Sequence, residues 1–277
     1  MKPRKLGKAS PYPVSYDKTL LETVERESSR DLINFKAAEF NGSDLWTCYE
    51  FSWLSENQVP QRAILTLEYD MHSRSIVESK SLKYYLFSLS NSIFLSINDI
   101  QTKLYEDLSE TLANDVKISL VNDKSIINNS NKFESIDHLN ININRFIYDP
   151  NLLEKQEIQT RQIVTSSLLR SNCPITGQPD WASVFIVIDG EYGLTNESLL
   201  RYIVSFREQQ EFHEQCVERI ISDIKNVCEP SSLTVYARYS RRGGIDINPL
   251  RYCGEISPEI EELITLNRQL IAIDRFQ

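Results

Sequence analysis

The chain is poor in the patterns on which many catalytic and binding classes depend. Its five cysteines, Cys48, Cys173, Cys216, Cys228 and Cys253, are odd in number and scattered, and only three histidines, His72, His138 and His213, stand in 277 residues. With no Cys-x-x-Cys pair and no histidine at ligand spacing, the chain offers no zinc motif, so no metal is expected and the cysteines read as reduced thiols. No Gly-x-Gly-x-x-Gly follows a strand, which excludes a Rossmann-type dinucleotide site. No apolar run approaches the roughly 20 residues of a membrane span. The basic start Met1 to Lys8 leads into Ala-Ser-Pro-Tyr-Pro rather than a signal-peptide core, so a cytoplasmic protein without a membrane partner is expected. Positive charge is also in deficit: 30 Lys and Arg stand against 39 Asp and Glu, for a net charge of -9 and a pI near 5.0. A nucleic-acid surface needs a broad excess of Lys and Arg, so no direct nucleic-acid partner is expected and any basic site must be local.

What is present is an ordinary globular composition, 41% apolar and 25% charged, with length for two modules. Strand-like alternation over Leu45 to Leu54 and Gln61 to Asp70 is followed by helical spacing over Ser79 to Leu89 and Asn98 to Asn114, with Asn98 as the expected N-cap. Strands return at Val116 to Val121 and about His138 to Tyr148, across a polar stretch, Asn122 to Asp137, that reads as a mobile loop or insertion. The second half repeats the order: strands at Gln162 to Leu169 and Trp181 to Ile188, helices at about Glu197 to Gln209 and Phe212 to Cys228, strands at Leu233 to Tyr239 and about Ile245 to Tyr252. Glu78-Ser79…Lys83-Tyr84 finds a weak echo in Glu197-Ser198…Arg201-Tyr202. The sequence therefore predicts a duplicated ββααββ unit, an α+β class with antiparallel sheets and helices on one face. Modules over 1–150 and 151–277 are expected, connected through Asp149 to Gln159. Exposed sheet edges lead us to expect association.

Four clusters carry chemistry. Ser171-Asn172-Cys173-Pro174-Ile175-Thr176-Gly177-Gln178-Pro179-Asp180-Trp181 sets a thiol and an acid in a rigid loop, the parts for covalent addition to an electrophile with protonation of the charge that develops. Taken alone, such a cysteine packs as a small hydrophobe and such an aspartate turns the chain. Val77-Glu78-Ser79-Lys80-Ser81-Leu82-Lys83 lies at a strand-to-helix junction where Ser79 can cap and the lysines can meet phosphate; a capped helix with a solvated lysine face is the plainer reading. Phe212-His213-Glu214 opens a strongly amphipathic helix. A buried Glu214 can accept two N–H donors from the amidine edge of a purine-like ring, and His213 can donate or carry a proton; both are also ordinary helix-start residues. In Tyr239-Ser240-Arg241-Arg242-Gly243-Gly244, arginines can clamp phosphate where glycines allow close approach, or simply decorate a β-turn.

In family order and spacing, these clusters, together with Asp44-Leu45-Trp46-Thr47-Cys48-Tyr49-Glu50 and Val235 to Pro249, resemble the NADPH-dependent nitrile reductase of queuosine biosynthesis, the QueF family, in its longer two-module form. The resemblance covers nearly the whole chain. It implies a tunnelling fold (T-fold) occurring twice, a homodimer, and reduction of the nitrile of 7-cyano-7-deazaguanine to the aminomethyl group at the expense of two NADPH, without a metal. By position it implies Cys173 as the nucleophile that forms a thioimide and Asp180 as the proton donor. Val77, Glu78, Ser79, His213 and Glu214 would bind the deazaguanine. Ser79, Lys80, Arg242 and Gly243 would contact NADPH. The alternatives are another T-fold pterin or purine enzyme of the cyclohydrolase kind, and a non-catalytic purine-binding module in which Cys173 is inert.

Overall fold

The computed structural model describes residues 13, 15–58, 60–121, 132–143 and 146–271. Its spine is one eight-stranded sheet. From one edge to the other run β5 (Val116–Val121), β3 (Pro60–Asp70), β2 (Asn41–Leu54), β12 (Ile245–Cys253), β11 (Ser232–Tyr239), β9 (Pro179–Asp189), β8 (Arg161–Asn172) and β6 (Glu134–Ser135). All neighbours are antiparallel except β6, which lies parallel to β8. The halves join where β12 pairs with β2, from Ile245 opposite Cys48 to Tyr252 opposite Asn41. Short ribbons flank the sheet: β1 (Thr23–Glu25) with β4 (Ser75–Val77), and β7 (Lys155–Glu157) with β10 (Tyr192–Leu194). A five-residue helix α1 (Glu27–Asp31) follows β1.

Period-two alternation assigns the two faces. Trp46, Cys48, Leu65 and Leu67 of the first half pack under α2 (Ser79–Ser88) and α3 (Ile97–Leu112), with Leu82, Tyr85, Leu104 and Leu108 completing the core. Val184, Ile186, Val235 and Ala237 pack under α4 (Asn196–Ser205) and α5 (His213–Cys228) against Ile203, Val217, Ile220 and Ile224. Each such fully buried aliphatic side chain contributes about 1.5–3 kcal/mol relative to exposure. The intervening residues Leu45, Val187, Tyr236 and Leu250 point the other way, where they are covered by Phe133 and by Ile260 and Ile264 of a C-terminal helix α6 (Pro258–Ile271).

The fold is the α+β arrangement expected, with antiparallel sheet and the four long paired helices on one face. Several local expectations are corrected. No strand runs through the described part of 138–148; the second half has the full ββααββ order, whereas the first shows ββααβ among its described residues. Residues 122–131 of the polar stretch lie outside the described residues, but its end is built into the fold: Ile136 and Phe133 are buried and Glu134–Ser135 forms β6. The cap of α3 is Ser96, not Asn98. Ser96 Oγ accepts the Asp99 N–H at 3.2 Å while Asp99 accepts the Ser96 N–H at 2.9 Å, a reciprocal box that a lone Asn98 cannot make. The cap of α2 is Glu78 rather than Ser79, because its two carboxylate oxygens reach the N–H groups of Lys80 and Ser81 at 3.0 and 2.7 Å.

The duplication is deeper than the sequence echo and shifted from it by two residues. Glu78 caps α2 where Thr195 caps α4. Ser81 Oγ donates to the Glu78 carbonyl and accepts from Glu22 N–H, as Ser198 does with Thr195 and Glu154. Tyr85 and Tyr16 donate to Asp107 as Tyr202 and Tyr148 donate to Asp223. The register shift between Cys48 and Phe51 recurs between Ser166 and Leu169. A parallel bridge from Leu54 to Ile93 recurs from Asn172 to Gln210.

Candidate active site

The β8–β9 hairpin sets the thiol. Asn172 pairs with Pro179, and the connecting turn closes through Cys173 N–H to the Gln178 carbonyl at 2.8 Å and Gly177 N–H to the Cys173 carbonyl at 2.9 Å. Gly177 has φ +69°, a left-handed conformation that disfavours a Cβ. Cys173 is half-buried, whereas Cys48, Cys216, Cys228 and Cys253 are buried. Burial pushes those four thiols up, Cys228 to about 11 and Cys48 and Cys216 further. Of the five, Cys173 is the one open to a reactant, and a thiolate must be reached to react.

Asp180 lies on β9 itself, not in a turn before it, in the same inward register as Ala182 and Val184. It is 8% exposed. Arg242 Nη2 pairs with its Oδ1, and His213 Nε2 stands 3.5 Å from Oδ2. The His213 ring is stacked flat on Tyr239, centroids 3.7 Å apart and planes 3° from parallel, which fixes its edge toward Asp180. Phe212 caps α5 without a side-chain hydrogen bond. Glu214, in the first turn, is 4% exposed. Burial first, and then the nearby Asp44 charge, hold its carboxyl above the usual carboxylate range, against the opposing pull of His213 and Arg26. Among the described residues, four buried polar atoms here lack a hydrogen-bond partner: Ser171 Oγ, opposite Asp180 in the hairpin, Tyr239 Oη, His213 Nδ1 and Glu214 Oε1. Buried polar atoms are rarely left so, and this set of donor and acceptor atoms is what a polar, planar ligand would satisfy.

The other expected residues are arranged around the seam between the halves. Val77 is buried at the end of β4, and its N–H is 3.4 Å from Tyr69 Oη. Burial first, then the Asp44 charge and more weakly that of Glu214, push the Tyr69 hydroxyl up, so Val77 and Glu214 belong to one neighbourhood. Glu78 is occupied as a cap, Ser79 is exposed in the first turn of α2, and Lys80 Nζ lies 5.8 Å from the Tyr84 ring. The link from α2 to Asp180 is the β11–β12 turn. Gly243 and Gly244 have φ +57° and +80°, and a Cβ on them would meet Lys83 Nζ at 2.8 Å and the Glu50 carboxyl carbon at 2.5 Å. The left-handed backbone is what favours glycine there, since the ends of the Lys83 and Glu50 side chains can move aside. Adjacent residues of one turn thus hold Asp180, through Arg242, and touch the lysine side of α2, through Gly243.

Beneath Glu214 lies a charge cluster that sequence reasoning passed over. Arg26 Nη2 bonds Asp44 Oδ2 at 2.5 Å, Arg251 bonds Asp44 Oδ1 at 2.8 Å and Glu218 Oε1 at 3.0 Å, and Arg30 bonds Glu218 Oε1 at 2.6 Å. Asp44 and Arg251 are both 0% exposed, so the ions are dry. The signal was present: Asp44 shares the inward register of Trp46 and Cys48, and Arg251 that of Ile245 and Cys253. A charge at an inward position of a period-two strand demands a buried partner. Among the described residues, no three His, Cys, Asp or Glu groups stand close enough to hold a metal ion.

A two-module α+β protein with a hairpin thiol, a clamped acid and a buried glutamate is the class that this geometry defines. Residues 12–120 match the model of the nitrile reductase, 7-cyano-7-deazaguanine-reductase N-terminal family, and residues 179–257 match the QueF-like protein family, together spanning more than half of the chain. The chain belongs to the QueF family, which supports in broad terms a nitrile-reductase role in the queuosine pathway. Among solved structures, the archaeosine synthase QueF-Like in its apo form is similar at 20% identity and a TM-score of 0.30, over 38% of this chain and 96% of that chain. No described helix is long and apolar enough to cross a membrane.

Proposed function

We propose that the protein reduces the nitrile of 7-cyano-7-deazaguanine to the aminomethyl group, with NADPH as reductant and a thioimide on Cys173. The observation that carries this reading is the one partly open thiol beside Asp180 and His213, next to a buried glutamate with an unpartnered oxygen. In this reading Glu214 accepts the amidine N–H donors of the base, which puts the ring in the Val77 and Tyr69 neighbourhood. Glu78 and Ser79, at the start of α2, would complete the base site in this reading.

Once the base is held, Cys173 Sγ adds to the nitrile carbon. The S–H bond gives its proton to the Asp180 carboxylate, one C–N π bond breaks as the S–C bond forms, the nitrogen takes that proton from Asp180, and the product is a thioimide, C=NH, bonded to sulfur. His213, 3.5 Å from Asp180, is placed to return a proton to that carboxylate. Bound at Lys80, Ser79, Arg242 and Gly243, NADPH supplies the hydrides that the carbon needs. The residues present fit such a group: Lys83 Nζ stands over Gly243 and the neighbouring Arg242 is 43% exposed, so two cations flank one turn. After the first reduction Cys173 leaves as thiolate, and the walls around Glu214 must keep the imine from water.

The same reading makes the protein a cytoplasmic homodimer without nucleic-acid or membrane partners. Among the described residues strand β5 pairs on one side only, with β3, a sheet edge of the kind that association covers. Anaerobic mixing with 7-cyano-7-deazaguanine and excess NADPH tests the reading. Two NADPH are expected per aminomethyl product, with none consumed by Cys173→Ala. A folded wild-type protein that binds the nitrile without consuming NADPH would overturn it.

A further inference from the structure

On the face of β9 opposite Asp180, the structure carries a second feature that none of the assigned roles uses. Trp181 is 39% exposed, unlike Trp46 and Trp53, which are 1% and 5% exposed. Arg170, its cross-strand partner on β8, places Cζ 5.8 Å from the indole ring, and Arg207, in the turn after α4, places Cζ 5.3 Å from the same ring. Arg207 also lies 5.3 Å from Phe146, itself 39% exposed. Two guanidiniums and two half-exposed rings therefore alternate in one patch, on a chain whose net charge is -9.

The hydrogen-bonding capacity of this patch is mostly unspent. Among the described residues, Arg207 makes ring contacts but no side-chain hydrogen bond. Arg170 donates once, from Nη2 to Asn172 Oδ1 at 3.2 Å, and its Nε is buried without a partner. No carboxylate pairs with either arginine among the described residues. Structural arginines are normally paired; arginines stacked on rings with their forks open suit a phosphate flanked by an aromatic group.

The position narrows the ligand. Asn172 and Asp180 bracket Cys173 in the hairpin, so the patch adjoins the reacting atoms. Successive strand residues point to opposite faces, however, so a group on Trp181 cannot be the group that meets Asp180. It must be the far end of an extended ligand whose near end reaches the thiol. An aromatic ring plus a phosphate at that far end describes a phosphorylated adenosine, and an arginine at the ribose phosphate is what distinguishes NADP from NAD.

We propose that Trp181, Arg170 and Arg207 bind the 2′-phosphoadenosine end of the nicotinamide cofactor, the adenine on the indole and the 2′-phosphate between the arginines. This rests on the reading of the protein as an NADPH-dependent reductase. Adenosine 2′,5′-bisphosphate and 5′-AMP are the probes. Wild-type protein should bind the bisphosphate roughly tenfold to a hundredfold more tightly, the size of a charge-assisted phosphate contact. Arg207→Gln and Arg170→Gln should each remove most of that preference. Because Trp46 and Trp53 are buried, acrylamide quenching of wild-type fluorescence reports Trp181, and the bisphosphate should protect it; this arm needs no variant to fold. Equal affinity for the two probes, or quenching unchanged at saturation, overturns the inference. The mass of the cofactor-free adduct between Cys173 and 7-cyano-7-deazaguanine, measured in the same preparations, keeps the two ideas apart. An adduct without bisphosphate preference sinks the patch alone, and no adduct in wild type sinks the reductase reading.

Discussion

The two halves of the molecule are built on one frame and carry different chemistry. Both bury a tyrosine–aspartate pair, Tyr85 with Asp107 and Tyr202 with Asp223, and both tie a helix to a loop through one serine, Ser81 or Ser198. Over that frame the candidate site positions diverge. Where the second half has Cys173 and Asp180, the matching register of the first has Ser55 and Gln61. Where α5 opens with Phe212-His213-Glu214, α3 opens with Ser96-Ile97-Asn98. Conversely, Glu78-Ser79-Lys80 is answered by Thr195-Asn196-Glu197, with the lysine replaced by an acid. The comparison teaches that each half keeps what the sheet and helices need, and under the proposed function each supplies a different part of the site. The β2–β12 seam is where the two halves join. It also separates closed from open helix ends: Ser96 and Asp99 satisfy the start of α3 internally, whereas Phe212 supplies no side-chain cap to α5.

The strongest way to break this account is at Glu214. Glu214→Gln should weaken 7-cyano-7-deazaguanine binding at least a hundredfold by calorimetry, because one accepting oxygen becomes a donor facing a donor. The sign of its pH dependence follows from the raised carboxyl. The folded state holds the proton to higher pH than the ordinary 4.5, so the wild type loses stability as pH rises from there through the raised value. Glu214→Gln lacks that loss and should be equally or more stable at neutral pH, while wild-type base affinity should fall as pH drops through the raised value. A variant that melts early and binds normally would reverse both roles.

Next in size, Arg251→Met should cost about 3–5 kcal/mol in urea unfolding, since it strands Asp44 and Glu218 as buried charges at the seam. A loss below about 1 kcal/mol would mean that the halves do not depend on these ions. Lys80→Ala should then raise the NADPH KM about tenfold, as loss of one phosphate contact does. Glu197→Ala, at the matching position of α4, should leave it unchanged. Equal effects would remove the claim that only one half serves the cofactor. The smallest and most symmetric effect belongs to the frame. Ser81→Ala and Ser198→Ala should each cost about 1 kcal/mol, and a difference much larger than that would show that the two copies are not equivalent.

Much of this was legible in the chain. The alternation of Ala63, Leu65, Leu67 and Tyr69 marks β3, and the spacing of Val217, Ile220, Ile221 and Ile224 marks α5, because periodicity records burial directly. The thiol loop was legible because Pro174, Gly177 and Pro179 confine Cys173 and Asp180 to one hairpin. Capping was harder, since Ser79 and Glu78 compete for the same N–H groups and the longer side chain wins by reaching two. The offset between repeats was hidden because Glu197-Ser198 matches Glu78-Ser79 in letters, while hydrogen bonding aligns Ser198 with Ser81. For the Arg26–Asp44–Arg251–Glu218 cluster the strand register marks Asp44 and Arg251 as inward charges, but not which partners they take, because the bonded pair Asp44 and Arg251 is 207 residues apart and meets only when β2 and β12 pair.

The most direct measurement is the intact mass of the protein after incubation with 7-cyano-7-deazaguanine alone, followed by peptide mapping. The account predicts one adduct per chain, equal to the mass of the added nitrile, on the peptide carrying Cys173 and on none of the peptides carrying Cys48, Cys216, Cys228 or Cys253. An unmodified Cys173 in protein that binds the base, or an adduct on another cysteine, would contradict it.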